Sequence, residues 1–180
     1  MKHVTIIATS LDEESKSQML AKTFEDRLNS ERVSCERIDL RTLDLPFAGS
    51  SKSWDSDDVK RVKRGVERAS HIVFSVPIYC YDVNAAAKNV IELVGRAFTK
   101  KVVGFICSAG GRSSYMSVMA FANHLMLDFR SLIVPRFLYV DDRGWADQAT
   151  LKPEIENRMQ VLVDDLREIQ VTVEKESPVS

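Results

Sequence analysis

Hydrophobic positions recur with two different periods along this chain, and the two alternate. Short β-branched runs predict strands, while apolar residues three or four apart predict helices with one buried face. Val4–Ala8 is the first run, and Leu20, Phe24 and Leu28 at i, i+4 and i+8 predict the first helix. Val33 to Leu40 alternates, and Leu43-Asp44-Leu45-Pro46 breaks the pattern. Val59, Val62 and Val66 mark a second helix, with Lys60, Arg61, Lys63 and Arg64 as its solvated face. His71–Pro77 is nearly all apolar, as in a parallel strand covered on both sides. A helix from about Asn84 to Phe98, a strand over Val102–Cys107 and a helix from Ser113 to Phe129 follow. Leu132–Val134 and Phe137–Val140 supply the last strand region, around Pro135. Pro153 opens the final helix, where its missing N–H costs nothing, and Ile155, Met159, Leu162, Val163, Leu166 and Ile169 form its apolar stripe.

Roughly five strands alternating with five helices predict an α/β fold, a doubly wound sheet of about five parallel strands with helices on both faces. Flavodoxin-like and Rossmann-like strand orders both satisfy this pattern. Either one places a ligand beyond the carboxyl ends of the strands, so the loops after Ala8, Val76 and Cys107 are where function is sought. One domain over residues 1–173 and a disordered polar tail over 174–180 are expected.

Composition narrows the classes. With 180 residues, 44% of them hydrophobic, the chain can bury a core without disulfide or metal support. Its 25 Lys and Arg against 26 Asp and Glu leave a net charge of -1, which lacks the basic field that nucleic acid requires. Cys35, Cys80 and Cys107 have no CxxC spacing, and His3, His71 and His124 fall in no zinc register. No apolar run approaches the roughly 18 residues of a membrane span, and the N-terminus turns polar at Thr9-Ser10, too soon for a signal peptide. Reduced thiols and a cytoplasmic address are the expectation.

The first loop, Thr9 to Ser17, crowds hydroxyls at a helix entrance, where exposed N–H groups bind phosphate. It matches neither GxxxxGK[ST] nor GxGxxG, and plain N-capping by Ser10 or Asp12 explains the same residues. The second loop, Pro77 to Asn84, offers Tyr79 and Tyr81 as an aromatic wall for a planar ligand, or as a plug for the sheet's edge. In the third, Ser108 to Tyr115, Gly110 and Gly111 let the backbone approach a ligand and Arg112 adds positive charge, although a tight turn capped by Ser113 also fits.

Taken in order, these motifs resemble the NADPH-dependent FMN reductases, a flavodoxin-like group that includes quinone, azo-dye and chromate reductases. The resemblance rests on Ser10 with Ser15, on Pro77-Ile78-Tyr79 followed by Lys88-Asn89, and on Gly110-Gly111-Arg112-Ser113-Ser114, and spans roughly residues 1 to 140. It implies that Ser10, Ser15 and Ser17 hold the FMN phosphate. Pro77, Ile78 and Tyr79 line the isoalloxazine, and Gly110, Gly111 and Arg112 meet its pyrimidine edge. The chain departs from the family at Thr9 for glycine, Asp12 for arginine, and Cys80, Tyr81, Asp82, Asn84 and Ala85 in the middle loop. With Lys16 as the local counter-charge, Asp12 is expected to weaken phosphate binding.

The implied function is a flavin-dependent NAD(P)H oxidoreductase passing hydride from NADPH or NADH to FMN and electrons to a quinone or other small acceptor. No side chain need act as acid or base. Alternatives are a flavodoxin-like electron carrier, an FMN-binding module without NAD(P)H activity, and a non-flavin interaction protein. The family resemblance also implies a homodimer or dimer of dimers, for which Met116, Met119 and Met126 offer an apolar face or merely fill the core. Cys80 reads as a packing residue, and Asp141-Asp142-Arg143-Gly144 as a turn rather than a metal site.

Overall fold

The computed structural model describes residues 3–171, so the expected tail at 174–180 lies outside the described residues. Strands β1 (Val4–Ala8), β2 (Cys35–Asp39), β3 (His71–Tyr79), β4 (Asp82–Val83), β5 (Val102–Ser108), β6 (Leu132–Ile133) and β7 (Leu138–Val140) alternate with helices α1 (Lys16–Ser30), α2 (Asp57–Arg68), α3 (Ala85–Val94), α4 (Val118–Phe129) and α5 (Pro153–Glu168). The sheet runs β2-β1-β3-β5-β6, with β7 beside β5 further along and β4 beside β3. Because β6 and β7 both pair parallel with β5, they act as one interrupted edge strand. The resulting order is the flavodoxin-like one, which decides between the two doubly wound alternatives.

Side-chain alternation in the central strands feeds two cores. Ile72, Phe74, Val103 and Phe105 face α2, α3 and α4, while Val73, Val102 and Ile106 face α1 and α5. Phe74 lies 5.5 Å from Phe98 and meets Phe121 edge-on at 5.1 Å. Each such buried aromatic contributes about 2–3 kcal/mol through lost water contact.

Three boundaries differ from the sequence pattern. Helix α4 begins at Val118 rather than Ser113, because residues 112–117 close two successive turns (Tyr115 N–H to the Arg112 carbonyl, Ser117 N–H to the Ser114 carbonyl) and Tyr115 stacks on Phe137 at 4.8 Å. The predicted helix to Phe98 ends at Val94 and tightens into a single 3₁₀ turn over Gly95–Phe98. Strand β3 continues past Pro77 to Tyr79 and folds back on β4, a hairpin that apolar periodicity alone does not show.

Parallel register sets the functional edge. Ala8 pairs with Asp39 and Ser75, Pro77 with Ser108, and Ser108 with Val140. The chain segments after all five parallel positions of the sheet therefore emerge together.

Candidate functional site

The first loop is closed by buried polar bonds. Thr9 donates its hydroxyl to Asn84 Oδ1 at 2.7 Å, and Asn84 Nδ2 returns a bond to the Thr9 carbonyl at 2.7 Å. Two of the departures from the family pattern thus meet each other. The Ser75 hydroxyl donates to the Ser17 carbonyl at 2.7 Å, and Gln18 Nε2 donates to the Ser10 carbonyl at 2.8 Å and to Asp39 at 3.0 Å. Asn84, Ser75 and Gln18 carry no role in the sequence reading; Ser75 is a polar residue inside the apolar run of β3, Gln18 a buried polar residue in the first turn of α1, and Asn84 the residue before α3.

Ser10, Ser15 and Ser17 are all buried at the entrance of α1. Ser10 Oγ accepts from the Asp12 N–H at 3.3 Å, a local turn. Ser15 occupies the N-cap position without capping; its hydroxyl instead pairs with that of Ser17 at 2.9 Å. Two hydroxyls sharing one hydrogen bond leave one O–H for an outside acceptor. Gln18 and Met19 donate their N–H groups to the Ser15 carbonyl at 3.1 and 3.2 Å, which leaves the N–H groups of Lys16 and Ser17 without an acceptor among the described residues. That donor set, gathered at a positive helix end, fits a phosphate.

Charge around this loop differs from the sequence expectation. Lys16 is committed to Asp142 at 2.8 Å and lies 5.7 Å from the Trp145 ring centre. Arg41, just past β2, donates to the Glu13 carbonyl at 3.2 Å while gripping Asp39 at 2.6 Å. Lys16 is therefore not the sole cation, because the pairing of β1 with β2 carries Arg41 to the loop from far along the chain. Asp12 is exposed and accepts from the Glu14 N–H at 3.1 Å, which turns its charge along the loop. Burial raises the Asp39 pKa, but hydrogen bonds from Arg41 outweigh it and hold the carboxyl below its ordinary range.

The second loop is a tight hairpin. Tyr79 pairs with Asp82 across Cys80 and Tyr81, whose φ angles are 51° and 61°. Both residues occupy the left-handed region of a type I′ turn, which favours Asn-Gly; each non-glycine residue there costs about 1–2 kcal/mol. Pro77 and Ile78 are buried, whereas Tyr79 is 54% and Tyr81 67% exposed. Tyr81 reaches across to donate to Ser113 Oγ at 3.3 Å, joining the second loop to the third. Lys88 pairs with Glu92, and Asn89 clamps the Pro46 carbonyl at 3.0 Å and the Ala48 N–H at 2.9 Å, so this pair of residues is committed to structure.

In the third loop, a Cβ added to Gly110 or Gly111 would meet nothing within 4 Å. Neither glycine has positive φ, so they keep a surface open rather than enabling a turn. Tyr139 of β7 supports this backbone, its hydroxyl bonding the Gly111 carbonyl and pairing with Ser114 at 2.7 Å. Arg112 is exposed and lies 3.5 Å from Asp141, which also binds Arg143 at 2.6 Å. Hydrogen bonding from Arg143 lowers the Asp141 pKa, with the Arg112 charge a smaller contribution. Asp141 accepts from the Arg143 N–H at 3.0 Å, and residues 142–144 form a helical turn, as the sequence predicts.

The three thiols do not approach a redox pair: Cys35 is half-buried, Cys80 exposed and Cys107 buried, with burial raising the pKa of Cys107. Among the described residues, no helix is long and apolar enough to cross a membrane.

The chain is similar to several known proteins. The family described as NADPH-dependent FMN reductase matches residues 1–145. A curated NAD(P)H-dependent FAD/FMN reductase of Geobacillus thermodenitrificans is 25% identical over 133 residues, 69% of this chain and 72% of that protein. Among solved structures, a flavoenzyme NAD(P)H:(acceptor) oxidoreductase from Paracoccus denitrificans superposes with TM-score 0.74 at 18% identity, covering 95% of this chain and all (100%) of that one. An NADH:FMN oxidoreductase in its apo form gives TM-score 0.79 at 12% identity, covering 99% and 92%. These two structures share the fold.

Proposed function

We propose that this chain, which belongs to the NADPH-dependent FMN reductase family, delivers electrons from NAD(P)H to a quinone or a similar small acceptor. FMN, its cofactor, supplies the hydride and electron chemistry when bound. The protein's work is binding and orientation.

Ser10, Ser15 and Ser17, with the free N–H groups of Lys16 and Ser17, hold the phosphate, and Arg41 contributes positive charge from beside the loop. Pro77 and Ile78 form a buried floor and Tyr79 an aromatic wall for the ring. Gly110, Gly111 and Arg112 would hold the pyrimidine edge of the ring, offering it backbone N–H groups and a guanidinium. Tyr81, tied to Ser113, narrows the entry to a planar acceptor. The observation that carries this reading is the register of β1, β3 and β5, which sets all three loops on one edge of the sheet.

A second copy of the chain is proposed as partner, forming a homodimer or dimer of dimers. Met116, Met119 and Met126 are all partly or largely exposed beside Leu127, which favours an interface over core filling. Light scattering above the 20.4 kDa of one chain supports it, and a monomer mass at working concentration overturns it. Three free thiols support a cytoplasmic address.

The test of function is purification followed by a spectrum and turnover. Flavin absorbance with NAD(P)H oxidation that depends on added quinone supports the reading. Bound flavin without NAD(P)H oxidation identifies an electron carrier, and a colourless protein that takes up no FMN identifies an interaction protein.

A further inference from the structure

Beyond the third loop, on the outer edge of the sheet, two cavities of about 300 Å³ each share Tyr115 and Arg158 as walls. Arg112 and Arg143 line one, and Arg136 lines the other. The lining of the two together holds four guanidiniums against the carboxylates of Asp141 and Glu154, in a chain whose net charge is -1. Asp141 fixes Arg112 and Arg143. Arg136 and Arg158 are exposed and have no carboxylate partner among the described residues. The Tyr115 ring, stacked on Phe137 from one side, stays 44% exposed on the groove.

A cation-rich groove with an aromatic face suits a purine nucleotide carrying more than one phosphate. It adjoins the proposed ring site through Arg112 and Tyr139, so a ligand seated there reaches the reaction centre only if it is long. The nicotinamide co-substrate is such a molecule, with its adenosine end far from its reacting ring. We propose that this groove holds the phosphorylated adenosine end of the co-substrate, and that Arg136 and Arg158 bind the 2′-phosphate and so select NADPH over NADH. The inference rests on the functional reading above. Remote binding of this kind anchors the co-substrate without touching the reacting atoms.

Calorimetry of the FMN-loaded protein with 2′,5′-ADP and with 5′-AMP tests the groove without turnover. The 2′,5′-ADP is expected to bind at least about tenfold tighter, since a charge-assisted phosphate contact is worth more than 1.4 kcal/mol. Arg158→Ala and Arg136→Ala should each remove most of that preference, Arg158→Glu more than either, and each should raise the ratio of KM for NADPH to KM for NADH. Both positions are exposed, and an unchanged thermal midpoint checks that the variants fold. Equal binding of the two fragments overturns the proposal, as does a preference that survives both alanine substitutions. A protein that oxidises neither co-substrate with any acceptor instead overturns the functional reading, whatever the fragments do.

Discussion

The first loop and the hairpin of the second loop sit on the same sheet edge but are built on opposite terms. Around Thr9, Asn84, Ser75 and Gln18, polar groups bond one another in a buried network that leaves Gln18 Oε1 without a partner. At Cys80 and Tyr81 the backbone is held in a conformation that glycine or asparagine would adopt more readily, with both side chains in solvent. The lesson is a division of labour. One end of the site is rigid and suited to a constant group such as a phosphate, while the other carries strain and exposed aromatic surface suited to variable partners.

The largest effect is expected from breaking the rigid end. Asn84→Ala removes two buried bonds and leaves the Thr9 carbonyl unsatisfied, so urea unfolding should show a loss of about 2–4 kcal/mol. The strained end should respond in the other direction. Replacing Cys80 and Tyr81 by Asn and Gly relieves the turn and should stabilise the fold by about 1–2 kcal/mol, while quinone turnover falls because Tyr81 is gone. Stability and activity moving together would contradict the division.

A third test lies at the far end of β3, away from both loops. His71 is buried, with Nε2 on the Ile169 carbonyl at 2.8 Å; burial lowers its pKa, and the carbonyl bond only partly offsets this. The unfolded chain therefore takes up the proton first as pH falls. The stabilising contribution is complete above an unfolded His pKa of about 6.5 and is lost progressively as pH drops below it toward the folded value. Thermal midpoints from pH 7.5 to 5 (roughly the window for histidine) should decline, and His71→Asn should flatten that slope without altering FMN affinity. The smallest change in stability is expected at Gly111→Ala, within about 0.5 kcal/mol because the added methyl meets nothing, yet FMN should bind more weakly where the backbone must approach the ring.

Much of the architecture was legible because buried parallel strands leave apolar runs such as His71–Pro77 that survive without context. The hairpin was not, since Cys80 and Tyr81 carry no turn signature and adopt positive φ against their own preference. The start of α4 was hidden because Ser114 and Tyr115 are held by Tyr139 and Phe137, partners distant in sequence. At the site, the hydroxyls crowded at a helix entrance were visible locally, but only the family resemblance singled out Ser10, Ser15 and Ser17, all three of which are buried at the start of α1. Arg41 could not, because only the pairing of β1 with β2 brings it to the first loop. The Thr9–Asn84 pair also escaped notice, since two departures that look separately damaging are compensating only in three dimensions.

A phosphate seated in the first loop would meet a cradle of hydroxyls formed before it arrives, so the phosphate should carry much of the flavin's affinity. Fluorescence titration of the flavin-free protein with FMN and with riboflavin, which lacks the phosphate, tests it most directly. FMN should bind at least about tenfold tighter, and Ser15→Ala with Ser17→Ala should narrow the gap. Equal affinities for the two flavins would place the phosphate outside this loop and contradict the account.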